Sequence, residues 1–249
     1  MAEIIYCEWL KLKRSKIMLV GVFGSFIVPL LAVINDIRIC LSNPMAVLSL
    51  SGIYEDTIMF LMLLFGPLIM AVVATYLVSR EYTEKTLKTI FAVPIGRMEF
   101  LAGKFIMLFI LVLLFMVLSW LDIVVIAMAC NLFISVSQIT LLTAISIFIQ
   151  MVKGGILLFA TLPPFVYLAL RTKGMFVPFI AIAAVSLFNV VLSGSQIAGF
   201  YPWTAAYLLL TGRLEQSGCP TLIGVFVILF VCLFGIGISV LRFRKEEVA

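Results

Sequence analysis

Residues 105–129 read FIMLFILVLLFMVLSWLDIVVIAMA, a run of 25 with one charge, Asp122, and no glycine or proline. As a helix rising 1.5 Å per residue it is about 37 Å long, enough to cross the roughly 30 Å hydrocarbon core of a bilayer. Backbone groups in that core have no water to bond, and a helix satisfies them internally. Five further apolar stretches fit the same reading: 17–34, 57–78, one ending near Leu170, 175–192 and 221–241. Of the 249 residues 64% are apolar and 12% charged, where a soluble domain carries about 25% charge. The expected fold is therefore all-α, a polytopic membrane protein with six transmembrane helices forming one transmembrane domain over 1–249.

Lysine and arginine resist translocation, so their distribution sets the orientation. Fourteen of the 17 fall before the first span, between spans two and three, between spans four and five, or in the tail; Arg38, Lys153 and Arg213 make up the other side. Both termini are expected to be cytoplasmic, as the even number of spans also requires. The first span is read as retained, because small-residue cleavage signals after Val33 are weak. The net charge of +5 is then a topology signal and implies no nucleic acid.

The composition also excludes chemistry. Without histidine there is no Ser-His-Asp or Cys-His relay and no histidine metal site. Cys7, Cys40, Cys130, Cys219 and Cys232 form no C-x-x-C pair, which argues against zinc or redox chemistry and leaves an external disulfide open. An intramembrane enzyme would need several convergent acids or nucleophiles, and Asp122 is the one carboxylate inside an expected span.

Two segments outside the spans stand out. In residues 2–16, Ile5, Trp9 and Leu12 are spaced i, i+4 and i+7, while Glu8, Lys11 and Arg14 lie on other faces. That is an amphipathic helix suited to lie in the inner interface against membrane lipid. Residues 80–91, REYTEKTLKTIF, suit a helix of about three turns with two i, i+4 pairs, Glu81–Lys85 and Glu84–Lys88, ended by Pro94. A short stiff helix between two spans can transmit a push. The alternative is an inert solvated connector.

On the opposite side, residues 35–56 read as a polar connector. Residues 193–210, with Gly194, Gly199, Pro202 and Trp203, are too apolar for a free loop and too broken for a clean span. A re-entrant element fits them, since non-helical backbone at membrane depth must be satisfied by protein or a water-filled cavity. Asp122 and Lys153 fall in the outer parts of spans three and four, and an unpaired intramembrane charge is costly, so they are expected to pair. Pro67, Pro163, Pro164 and Pro178 interrupt spans two, four and five and offer places to bend.

The stretches SREYTEKTLK (79–88), AVPIGR (92–97), Gly103-Lys104 and EWLKLKRSK (8–16) resemble the inner loop and N-terminal segment of type-2 ABC exporter permeases. The likeness is greatest to small permeases of bacitracin and lantibiotic self-protection in bacteria. It implies that 80–97 is a coupling loop docking in the ATPase subunit through Arg80, Glu81, Tyr82, Thr83, Glu84, Thr86 and Leu87, with Arg97 anchoring the return. Lys85 stands where many relatives have glycine. The resemblance further implies a second permease chain, identical or different, because substrates of that family pass between two chains. No G-x-x-x-x-G-K-[ST] phosphate loop occurs, so the chain itself binds no cofactor, and ATP and Mg²⁺ belong to the partner. The charge-poor spans suit an amphipathic or lipid-linked substrate. A signalling or structural membrane protein, or a secondary carrier, would share much of this sequence pattern.

Overall fold

The computed structural model describes residues 2–13, 15–42, 47–84, 86 and 96–245. Among these the regular secondary structure is entirely helical apart from one isolated bridge between Ser49 and Ser137. A short helix α1 (Ala2–Lys13) leads into α2 (Ile17–Ser42). The second span is one helical rod of three pieces: α3 (Leu50–Phe60), a π turn (Leu61–Phe65) and α4 (Gly66–Thr83). Next come α5 (Arg97–Asn131), α6 (Leu141–Ala160), α7 (Pro163–Thr172) and α8 (Phe176–Leu192). A 3₁₀ turn (Ala198–Phe200), α9 (Pro202–Leu210), a second 3₁₀ turn (Glu215–Ser217) and α10 (Thr221–Arg244) complete the chain.

Among the described residues five helices are long and apolar enough to cross a membrane: Ile17–Ser42, Leu50–Thr83, Arg97–Asn131, Leu141–Thr172 and Thr221–Arg244. The shorter apolar helix Phe176–Leu192 occupies the place of the expected fifth span, about 26 Å long at 1.5 Å per residue. The second and third spans, at 34 and 35 residues, are about 50 Å long and run well past any hydrocarbon core.

Local chemistry sets the helix starts. Ser49 caps α3 by accepting from the Gly52 amide at 3.0 Å, and Thr140 caps α6 by accepting from the Thr143 amide at 3.3 Å. Pro163 and Pro164 open α7, where their missing amides cost no helical bond. They press so closely on α10 that a Cβ on Gly235 would lie 2.7 Å from the Pro164 nitrogen. The fourth span is thus two helices broken at residues 161–162, and Lys173, at a φ of 53°, ends it.

The polar connector expected at 35–56 is largely helical. α2 continues through Asn35, Asp36 and Arg38 to Ser42, and α3 has begun by Leu50. Asn35 donates to Asp56 at 2.8 Å across the two helices, so these two polar side chains are matched laterally while the backbone stays helical. Between α5 and α6, the Ser137 amide donates to Leu48 O at 2.9 Å and the Leu50 amide to Ser137 O at 3.1 Å, tying this loop to the start of α3. Residues 193–210 fold back as the broken element expected: Thr204, Ala205, Ala206, Tyr207 and Leu208 of α9 are buried among the longer helices. All five cysteines stand free.

Candidate functional site

The ends of α1, α4, α5, α7 and α10 meet at one end of the bundle, which carries most of the chain's basic residues. There the structure builds a closed ring of four charges. Lys11 of α1 contacts Glu8 at 3.2 Å and Glu81 of α4 at 2.9 Å; Lys104 of α5 contacts the same two carboxylates at 3.2 and 3.3 Å. Each ammonium touches both acids, and the ring is neutral.

The side chains of Lys104, Glu8 and Glu81 are only 4%, 5% and 3% exposed, whereas Lys11 is 34% exposed. Buried charges persist only when their remaining donors and acceptors are used, and here they are. Lys104 also donates to the Leu77 carbonyl at 2.7 Å and sits 4.8 Å from the centre of the Phe100 ring, a favourable place for a cation. Phe100 in turn stacks on Phe243 of α10 at 6.1 Å. The second oxygen of Glu81 accepts from the Thr86 hydroxyl, and the Thr86 amide donates to Glu81 O at 3.1 Å. Arg80 reaches back to donate to the Lys11 carbonyl at 3.0 Å. Burial pulls the Lys11 ammonium down, but its hydrogen bond to Glu81 and the charges of Glu8 and Glu81 prevail and raise its pKa above the ordinary value.

Packing draws the same elements together. Leu12 is buried in the core, and a Cβ on Gly103 of α5 would lie 2.8 Å from Ile4, so α1 lies directly on α5. The N-terminal helix is therefore fastened to the bundle by its Glu8–Leu12 face. Of the stripe expected at Ile5, Trp9 and Leu12, Leu12 faces the bundle, Ile5 is half-buried, and Trp9 is exposed at its surface. Glu8, expected on a polar face, is buried because Lys104 awaits it.

The loop residues divide in two. Arg80, Glu81, Tyr82 and Thr83 are the last turn of α4, continuous with the second span rather than the start of a separate helix. Glu81 turns inward into the ring, so its carboxylate presents no outward contact. Thr83 and Glu84 are exposed, and Glu84 pairs with Arg80 at 2.8 Å. The Tyr82 ring lies 5.6 Å beneath the Lys173 ammonium, from the loop after α7. Arg97 is exposed in the first turn of α5. Leu87, Lys85 and Lys88, and with them the rest of the helix expected over 80–91 and the lysines of its two ion pairs, lie outside the described residues.

Asp122 and Lys153 are not brought into an ion pair. Asp122 is half-buried on α5 and turns to Ser25 of α2, while Lys153 is exposed on α6. α5 packs on both α2 and α6, and the Asp122 side chain turns to the α2 side. Pro67 follows the π turn, Pro163 and Pro164 divide the fourth span, and Pro178 lies buried in the first turn of α8. Three of these four prolines therefore stand at helix starts, where they cost least.

The pairing of Glu8 with Lys104 was not legible in advance. Lys104 opens the apolar run of the third span, at the same depth as Glu81 closing the second, and that matched depth was the available signal.

The chain matches the model of the ABC-2 family transporter protein over residues 4–193, which takes in α1, the charge ring and the spans through α8. The chain belongs to the ABC-2 transporter family. This ABC-2 permease is also similar to the bacitracin transport permease of Bacillus licheniformis, 24% identical over 198 residues, covering 80% of this chain and 93% of that protein. It is accordingly a membrane subunit of an ABC transporter.

Proposed function

We propose that this ABC-2 permease moves an amphipathic or lipid-linked substrate, an antimicrobial peptide such as bacitracin, out of the membrane or cell, driven by a separate ATPase subunit docked on its 80–97 loop. The observation that carries this reading is the neutral ring of Glu8, Lys11, Glu81 and Lys104, which fastens the N-terminal helix, the start of the loop and the start of the third span into one body. A push on the exposed Thr83 and Glu84 would then move the second and third spans together with α1.

In this reading Glu81 is a positioning residue, and the docking surface is Thr83, Glu84 and Arg97 with Leu87. Tyr82 and Thr86 support it, Arg80 braces it, and the loop and both termini are cytoplasmic, as the basic residues at that end favour. ATP and Mg²⁺ act on the partner, consistent with the absence of a phosphate loop here. A second permease chain completes the path. The similarity to a bacitracin transport permease supports the substrate class.

The test is to express the chain with an ABC ATPase from its neighbouring reading frames in a bacitracin-sensitive host. Protection that requires both subunits, and is lost when the ATPase phosphate-loop lysine is replaced, is the expected result. Protection by the permease alone would favour a secondary carrier, and ATP-dependent co-assembly with no protection against bacitracin or lantibiotics would refute the substrate class.

A further inference from the structure

The break in the second span is held open by a residue from elsewhere in the chain. At the π turn the Gly66 amide bonds to Leu61 O, one residue further back than in an α-helix. A Cβ on Gly66 would lie 2.3 Å from that same oxygen, so only glycine fits. Pro67 follows and has no amide to give, and the carbonyl it would have served in a regular helix is that of Leu63. A buried carbonyl without a donor is costly.

Asn189 of α8 supplies the donor. Its side-chain nitrogen donates to Leu63 O at 3.1 Å, and its side-chain oxygen accepts from the Thr204 hydroxyl of α9 at 3.0 Å. Both residues are fully buried. The amide has one orientation here, because a carbonyl can only accept. Two neutral hydrogen bonds in series thus run from the bend of the second span through α8 to the folded-back helix α9. Leu208, one turn beyond Thr204, and Leu63 itself are both walls of a cavity of about 370 Å³ whose rim carries Gln196, Arg213 and Gln216.

We propose that Asn189 is a positioning residue: its side chain sets the bend of the second span at the π turn and passes any swing of α4 to α9 and so to the shape of this cavity. Its ionic counterpart lies at the other end of the same rod, where Glu81 fixes α4 to α5. Neutral bonds exchange partners without stranding a charge, which suits a joint that must move. The proposal stands on the fold alone and needs no ATPase.

Spin labels replacing the exposed Glu55 and Thr83 lie 28 residues apart across the bend, about 42 Å along the rod. Pulsed dipolar distances are measured on the full chain in lipid nanodiscs without a partner. The native protein should give one narrow distance, and Asn189→Leu should shift it by several ångströms or broaden it. Adding Pro67→Ala, whose new amide can serve Leu63 O, should restore a single distance. Thr204→Val should show a smaller change, and Thr204→Ser the native distribution. An unchanged distribution in Asn189→Leu, or a shift that Pro67→Ala leaves in place, overturns the proposal. Should Asn189→Leu fail to fold, the Thr204 pair decides: a valine variant indistinguishable from serine overturns it equally.

Discussion

The two ends of the second span are secured by different physics. At its basic end Glu81 sits among Lys11, Lys104 and Thr86, almost without exposure, and the ring it belongs to joins α1, α4 and α5. Toward the other end the same rod is broken by a π turn, and the break is held by neutral groups: an Asn amide, a Thr hydroxyl and a main-chain carbonyl. A buried ion ring resists change, because moving one member strands another charge. Neutral bonds give way more readily. The lesson is a division of labour along one helix, with a stiff receiver where force enters and a compliant joint where it is used.

The largest expected effect breaks the stiff end. Lys104→Leu leaves Glu8 and Glu81 buried with Lys11 alone and should cost about 3–5 kcal/mol, measured by thermal unfolding of the detergent-solubilised chain. Removing Glu8 as well, in Glu8→Leu/Lys104→Leu, restores neutrality and should recover most of the loss. Next in size is a change at the joint. Gly66→Ala places a Cβ against Leu61 O and should cost about 1–3 kcal/mol in the same assay.

Smaller effects sharpen the contrast. Lys11→Met leaves the buried Glu8 and Glu81 with Lys104 alone, but Lys11 is 34% exposed and water can take the place of its ammonium, so the change should cost less than Lys104→Leu, about 1–2 kcal/mol. Arg213→Gln at the opposite end breaks a 3.5 Å pair with Glu55 in which both side chains are more than half exposed, and should cost under about 1 kcal/mol. Least of all, Asp122→Asn and Lys153→Gln should combine additively, with a coupling below about 0.5 kcal/mol in a double-mutant cycle.

The helical spans were legible in the sequence because apolar length is the one requirement a bilayer imposes, and it survives in any context. The N-terminal helix and the folded-back 193–210 element were legible for similar reasons: an i, i+4, i+7 stripe, and apolar residues interrupted by Gly and Pro. Partners were harder. Asp122 and Lys153 share a depth on adjacent helices, but depth fixes one coordinate and leaves the helix rotation open, so Asp122 turns to Ser25 instead. The same gap hid Glu8, whose position on a polar stripe looked solvent-facing until Lys104 supplied a buried partner. Pro67 marked a bend, yet nothing local to it points to Asn189, 126 residues away from Leu63.

The most direct measurement places a photo-crosslinking amino acid at Thr83, exposed at the basic end, and at Gln216, exposed at the opposite end, in membranes that also contain the ABC ATPase subunit. Capture of the ATPase from Thr83 and not from Gln216 is the expected result. Capture from Gln216, or none from Thr83 in a complex that hydrolyses ATP, would contradict a charge-braced coupling site at the end of the second span.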